Sequence, residues 1–168
     1  MGGHTPTKPQ SFGAGGNLYA VVGVFAALFA ALGIAVVVTR GEWTVLAIAI
    51  GVAAMCYLLL QVLRLEIGPS GFRYRNLSGS REVPFSDVSR AYFEVVRAEG
   101  SPRPVAAFWV DRRAGERVKV NLRTFPVRAA AVLFSALEAH GVTIEVPDEP
   151  AARRVADQVR AAQAKMPG

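Results

Sequence analysis

Two long apolar runs lie close together near the start of the chain. The first covers Leu18–Thr39 and the second covers Trp43–Leu63, with only Arg40-Gly41-Glu42 between them. As α-helices the runs would extend about 33 Å and about 31 Å, and the hydrocarbon core of a bilayer is about 30 Å thick. Because so short a connection forces the two helices to be antiparallel neighbours, the sequence predicts a transmembrane α-hairpin over residues 18–63.

Charged side chains are distributed as a bilayer requires. Between Leu18 and Leu63 the only Asp, Glu, Lys or Arg residues are Arg40 and Glu42, both in the short connection. A charge in hydrocarbon is costly, so a helix that carries none can lie there. Neither helix offers a group for a proton relay or an ion path, and we do not expect transport by this chain alone. The predicted membrane-interface anchors are Tyr19, Trp43 and Arg64.

Small residues recur at four-residue spacing in both runs, at Ala27 and Ala31 and again at Ala47 and Gly51. Such a spacing lets two helix backbones approach closely. Alanine facing lipid gives the same pattern, so both interpretations stay open. Cys56, the one cysteine, falls inside the second run, where we expect it to pack as a small apolar residue.

The distribution of positive charge predicts the topology. Residues 1–17 are rich in Gly, Pro, Ser and Thr and contain Lys8, and we expect them to form a disordered leader that is not a cleaved signal peptide. The loop contributes only Arg40, whereas the segment after the second run carries Arg64, Arg73, Arg75 and Arg81. The positive-inside rule then predicts a multi-pass protein with both termini cytoplasmic. Arginine outnumbers lysine 16 to 3 and alanine is abundant, a bias associated with GC-rich bacterial genomes, so we expect the membrane to be a bacterial inner (plasma) membrane.

After Arg64 the hydrophobic period changes to that of strands. Residues 117–122 alternate Val118, Val120 and Leu122 with polar side chains, which predicts one buried and one solvated face. Further extended segments are predicted at 65–67, 72–75, 81–85, 88–98 and 105–110. A helix follows between Pro126 and Gly141. The order predicts an α+β domain, a roll or open barrel of about six or seven antiparallel strands plugged by one helix.

Three segments carry a resemblance to a known family. They are Gly71-Phe72-Arg73-Tyr74-Arg75, the stretch Arg81–Val88, and Asn121-Leu122-Arg123 before the helix. Together they resemble bacterial PH-like domains, which are often found behind paired transmembrane helices. The resemblance implies a PH-like barrel over residues 65–146, capped by its C-terminal helix. It implies no reaction and no particular ligand residues.

The last segment, residues 147–168, begins with Pro147-Asp148-Glu149-Pro150, which interrupts regular structure. We expect a frayed, solvated tail here. The alternative is a short helix that places an apolar strip on the membrane surface or on a partner. That strip would consist of Val155, Val159, Ala162 and Met166.

Groups that support catalysis are scarce. The chain has two histidines, His4 in the leader and His140 at the end of the predicted helix, besides its single cysteine. Metal sites need several such ligands close together, and nucleophilic catalysis needs a base beside the nucleophile. The sequence therefore predicts no metal, no cofactor and no enzymatic activity.

Basic residues remain as candidates for binding. They form two groups, one on the early strands and one around the late hairpin: Arg73, Arg75 and Arg81, then Arg112, Arg113, Arg117 and Lys119. Three interpretations stay open, namely an ordinary solvated surface, contact with anionic lipid, and contact with a protein. Resemblance to PH-like domains implies that basic groups near the first strands can hold phosphorylated headgroups.

The second apolar run meets Leu65 with no linker, so the domain is expected to stay at the membrane. A device that recruits the domain there would be redundant. The sequence therefore favours a membrane-anchored, non-enzymatic adaptor or assembly module that binds another protein or copies of itself. The alternative function is sensing of anionic lipid headgroups. Nucleic acid is not an expected partner, because the basic groups lack interleaved exposed aromatic residues.

Overall fold

A computed structural model of the chain describes residues 8–41, 43–97 and 104–166. Within them the fold is α+β. The helices are α1 (Gly16–Arg40), α2 (Trp43–Val62), α3 (Val127–Ala139) and α4 (Pro150–Gln163). The strands are β1 (Gln10–Gly13), β2 (Arg64–Ile67), β3 (Gly71–Asn76), β4 (Gly79–Pro84), β5 (Val88–Val96), β6 (Val105–Arg112), β7 (Val118–Val120) and β8 (Ile144–Glu145).

Helices α1 and α2 match the two apolar runs of the sequence, and both are long and apolar enough to cross a membrane. Only 6% and 11% of their most apolar segments are buried within the protein. A core helix of a soluble protein would instead be covered on most sides. The left-handed conformation of Gly41 (φ 70°) ends α1, and its N–H donates to the carbonyl of Val37 at 2.8 Å. The exposed apolar surface indicates association with a membrane.

The two helices pack through small residues, but not through those that the spacing suggested. The covered stripe consists of Val22, Ala26, Ala30, Gly33 and Val37 on α1, and of Leu46, Ala49, Ala53, Cys56 and Leu60 on α2. Ala27, Ala31, Ala47 and Gly51 are exposed on other faces and take no part in this contact, which agrees with the alternative of alanine facing lipid. Gly33 is the point of closest approach, since a Cβ there would stand 3.0 Å from the Cα of Leu46.

The prediction of a disordered leader is wrong for Gln10–Gly13, because these residues form β1. This strand pairs antiparallel with β2, with Gln10 opposite Ile67 and Gly13 opposite Arg64. Phe12 fixes the strand by packing against the domain core. Residues 1–7 of the leader lie outside the described residues. The strand that enters α1 and the strand that leaves α2 are therefore neighbours, and the helical hairpin is an insertion between two adjacent strands of one sheet.

The strands form two four-stranded sheets within the described residues, in the orders β1-β2-β3-β4 and β7-β6-β5-β8. All neighbouring strands are antiparallel except β8, which runs parallel to β5. The core lies between the sheets and includes Leu65 and Val110, both fully buried. Strands β1 and β8 were not predicted, because each is short and carries little hydrophobic alternation.

Helix α3 lies where the sequence predicts it, with Pro126 as its N-cap and Gly141 in a left-handed conformation after its end. Its apolar stripe covers the core. The ring of Phe134 lies 5.2 Å from that of Phe108 and 6.0 Å from that of Phe93. Aromatic pairs at such separations add to the stabilisation from burial alone.

The expectation of a solvated tail is wrong, because Pro150–Gln163 form helix α4 packed on the domain. Ala152, Ala156 and Val159 are buried, and Gln163 Nε2 donates to Ser135 Oγ on α3 at 3.1 Å. The predicted apolar strip exists, but it covers this domain rather than a membrane or a partner. Two of the three buried residues of α4 are alanines, and alanine gives little hydrophobic signal in sequence.

The packing at Gly33 generates a test. We expect Gly33→Leu to destabilise the full chain by about 1–3 kcal/mol, because the side chain would force the two helices apart. The measurement is the melting temperature of the protein in detergent, followed with a thiol-reactive dye. Unfolding exposes Cys56, the single cysteine, which is partly buried on the contact stripe. The control is Gly23→Leu, since a Cβ at Gly23 meets nothing within 4 Å. Equal shifts in melting temperature for the two variants would contradict the packing.

Candidate binding groove

Two aromatic and two basic side chains lie together on the outer face of the second sheet. Trp109 on β6 lies between Tyr92 on β5 and Lys119 on β7 in the strand register. Residues directly opposite one another across strands point to the same face. The Arg117 guanidinium lies 4.3 Å from the Trp109 ring centroid, and Lys119 Nζ lies 5.5 Å from it. Both are cation–π contacts, which hold the two basic groups over the indole.

This face continues into an open groove of about 590 Å³ where the two sheets approach each other. We call it the Trp109 groove. Its lining residues are Tyr74, Asn76, Ser78, Arg81, Trp109, Glu116, Arg117, Val118 and Lys119. Arg81 and Glu116 approach each other from opposite sides, with 3.6 Å between Nη1 and Oε2.

The Trp109 groove is bordered by two edge strands. Strand β4 ends the first sheet and β7 ends the second, within the residues that the structure describes. Edge strands present backbone N–H and C=O groups that no neighbouring strand satisfies, and extended peptides pair with such edges. The groove thus combines an aromatic floor, basic side chains and backbone hydrogen-bonding groups.

Exposed acidic groups balance part of the positive charge of the groove. Contact with Tyr92, and to a smaller extent the charge of Glu94 at 3.9 Å, raises the pKa of the Arg117 guanidinium. The side chains of Arg81 and Glu116 are 58% and 87% exposed, so their ion pair adds little stability. A carboxylate from a partner can therefore displace Glu116 at small cost.

One of the predicted basic residues, Arg112, has a structural role. Arg112 Nε donates to Asp87 Oδ2 at 2.6 Å, and the backbone N–H of Arg113 donates to the carbonyl of Asp87 at 2.6 Å. The N–H of Ala114 donates to Asp87 Oδ1 at 3.1 Å. The hydrogen bonds from Arg112 and then Ala114 lower the pKa of the Asp87 carboxyl. The Arg112 side chain and the backbone N–H groups of Arg113 and Ala114 therefore fix the turn after β6, and contact of the exposed Arg113 side chain with lipid or a partner stays a prediction.

The first predicted group divides between two faces of its sheet. Arg73 lies on the outer face, where it donates to Glu82 at 2.7 Å and lies 3.9 Å from Glu66. Arg75 lines a shallow depression on the same face. Arg81 stands opposite the buried Tyr74 in the register, so it points the other way and reaches the Trp109 groove. The three residues form one group in the sequence because only a short turn separates β3, which carries Arg73 and Arg75, from β4, which carries Arg81.

The predicted interface anchors occupy both ends of the hairpin. The ring of Tyr19 lies 6.1 Å from that of Tyr57 near the domain, and Trp43 is 69% exposed at the loop end. Arg64 belongs to β2 and lies 3.9 Å from Glu66. Contact of these three with a membrane stays a prediction.

Among residues 8–41, 43–97 and 104–166, no cluster of three His, Cys, Asp or Glu side chains is placed to hold a metal ion. His140 Nδ1 lies 2.8 Å from the carbonyl of Ala136, and its ring lies 4.5 Å from that of Phe85. Comparison with models of protein families, with curated proteins and with solved structures finds no match to this chain.

The candidate site residue that the sequence analysis did not identify is Trp109. It occupies an outward position of β6, between inward Phe108 and Val110, and it precedes the basic Arg117 and Lys119 by one hairpin. A tryptophan at an outward position of a strand was the available signal.

The interaction of Asp87 with Arg112 has a measurable pH dependence. A carboxyl whose pKa is lowered by folding stabilises the protein above its unfolded pKa of about 3.9, and this stabilisation is lost as the pH falls through the folded pKa. We therefore expect Asp87→Asn to lower the melting temperature of the full chain by a constant amount between about pH 5 and pH 7. Below about pH 4 the difference should shrink, since protonated Asp87 no longer pairs with Arg112.

Circular dichroism of both proteins across this pH range makes the measurement. Asp157→Asn is the control, because Asp157 is exposed on α4. A difference that did not change with pH would show that the charge of Asp87 is not what stabilises the turn.

Proposed function

We propose that this chain is a membrane-anchored, non-enzymatic adaptor that presents a folded domain to a partner protein at the membrane surface. The pairing of β1 with β2 carries the proposal, because it fixes both ends of the helical hairpin in one sheet of the domain. Only Ala14 and Gly15 separate β1 from α1, and only Leu63 separates α2 from β2. A domain so held has a set orientation to the bilayer, which suits presentation of a surface.

The domain that the hairpin holds is PH-like in this proposal. Two packed sheets, mainly antiparallel, followed by a helix that covers their core support that assignment. The assignment covers residues 65–146, and β1 and α4 are additions on either side. In such a module the strands and α3 form a rigid scaffold, and grooves on its surface provide the binding sites.

We place the domain and both chain ends in the bacterial cytoplasm. Lys8 and Arg64 lie on the domain side of the hairpin, as do the arginines of the early strands, whereas Arg40 lies at the loop end. This imbalance supports cytoplasmic placement under the positive-inside rule. The chain would then cross the inner membrane twice.

The Trp109 groove is the proposed docking surface, and the proposed partner is a protein with an extended, acidic segment. Charge complementarity supports this choice, because Arg81, Arg117 and Lys119 surround the groove and Glu116 is its only carboxylate among the described residues. Edge strands β4 and β7 provide backbone pairing for an extended segment. The outer face with Arg73 is a weaker candidate for binding anionic headgroups, since Glu82 and Glu66 already pair with it.

Crosslinking in native membranes, followed by purification of the full chain, tests the adaptor function. We expect the unmodified chain to yield one partner in defined stoichiometry. The double variant Trp109→Ala with Lys119→Gln should lose it, because truncating a central tryptophan typically costs about 2 kcal/mol or more.

The matched control is Arg73→Gln with Arg75→Gln, which changes two residues on the outer face and should retain the partner. Recovery of the chain alone, or equal capture by both double variants, would contradict the proposal. If crosslinks formed only between copies of this chain, the result would indicate self-association and would contradict binding to an acidic partner.

A further inference from the structure

A second groove lies where α1 leaves the domain, and its volume is about 1010 Å³. The first turn of α1 forms one wall, and the other walls come from the ends of β5 and β6, the start of α3 and one face of α4. We call it the junction groove. The N–H of Gly15 donates to the carbonyl of Thr124 at 2.7 Å, which fixes the start of α1 against the segment before α3. The groove is thus built from elements that are held together.

Apolar side chains are exposed around the junction groove. Outside α1 and α2, the large hydrophobic residues exposed in the described parts of the chain are Leu77, Val96, Val105 and Val127. Val105 and Val127 line this groove, and Val96 stands opposite Val105 in the strand register. Their exposed fractions are 39% for Val96, 37% for Val105 and 46% for Val127. Apolar surface gathered beside the entry of an apolar helix is suited to cover by acyl chains.

Positive charge lines the same groove. Arg97, Arg123 and Arg154 contribute three guanidinium groups, and Glu149 is the one carboxylate among the described lining residues. None of the three arginines forms an ion pair with any acidic residue that the structure describes, whereas Arg73, Arg81 and Arg117 each do. Arginine binds phosphate through charge-assisted, often bidentate hydrogen bonds. The junction groove therefore offers both an apolar floor and available phosphate-binding groups.

We infer that the junction groove binds one anionic phospholipid of the surrounding bilayer. An acyl chain lies along Leu18, Val105 and Val127, and the phosphate lies among Arg97, Arg123 and Arg154. The net positive charge selects an anionic headgroup over a zwitterionic one. This inference depends on insertion of α1 in the bilayer, but it shares no residue with the Trp109 groove and stands apart from the partner proposed there.

Native mass spectrometry of the full chain in mild detergent tests the inference. The protein is titrated with palmitoyl-oleoyl phosphatidylglycerol and, separately, with palmitoyl-oleoyl phosphatidylcholine. We expect one retained phosphatidylglycerol and markedly weaker retention of phosphatidylcholine. The triple variant Arg97→Gln, Arg123→Gln, Arg154→Gln should weaken retention of phosphatidylglycerol by roughly a hundredfold, on the scale of three basic groups near an anionic surface.

The control removes the same number of charges elsewhere, with Arg128→Gln, Arg160→Gln and Lys165→Gln, three exposed residues that line neither groove. It should retain phosphatidylglycerol as the unmodified chain does, and glycerol phosphate alone should not displace the lipid, because the acyl chain contributes to binding. Equal retention of the two lipids, equal loss in the two triple variants, or displacement by glycerol phosphate would overturn the inference. Loss of the protein partner in the crosslinking experiment would leave these results unchanged.

Discussion

Pairing between β1 and β2 is the interaction on which the rest of the molecule depends. It places the entry and exit of the helical hairpin side by side in one sheet, through four opposed residue pairs from Gln10–Ile67 to Gly13–Arg64. A hairpin of two apolar helices on a flexible tether would leave its domain free to turn. Here the strands continue almost directly into the helices, so the orientation of the domain follows from that of the hairpin.

The arginines of the domain have distinct roles that follow from their neighbours. Arg112 holds Asp87 and fixes a turn, and Arg73 is paired with two glutamates on the outer face. Arg117 stacks on Trp109 in the groove proposed for a partner. The arginines of the junction groove line its wall without a described ion pair. A positive net charge therefore says little about binding. The acidic and aromatic side chains that contact each guanidinium group decide its role.

The sequence was sufficient for the elements with strong periodicity and insufficient for those fixed by distant contacts. Helices α1, α2 and α3 follow from long apolar runs or a clear stripe, and β7 from strict alternation. Strand β1 depends on pairing with residues more than fifty positions later, and α4 depends on small alanines that only tertiary packing buries. Arg73 and Arg81 lie on opposite faces of the sheet because of the register between β3 and β4. The local sequence pattern does not specify that register.

Labelling of single cysteines tests the central claim, that both ends of the hairpin lie in one sheet on one side of the membrane. In a Cys56→Ser background, Lys8→Cys, Arg40→Cys and Ser78→Cys are each treated with an impermeant maleimide in intact cells and in inverted membrane vesicles. We predict that Lys8→Cys and Ser78→Cys react only in the vesicles and Arg40→Cys only in cells. Labelling of Lys8→Cys and Ser78→Cys from opposite sides, or of all three from one side, would contradict the account.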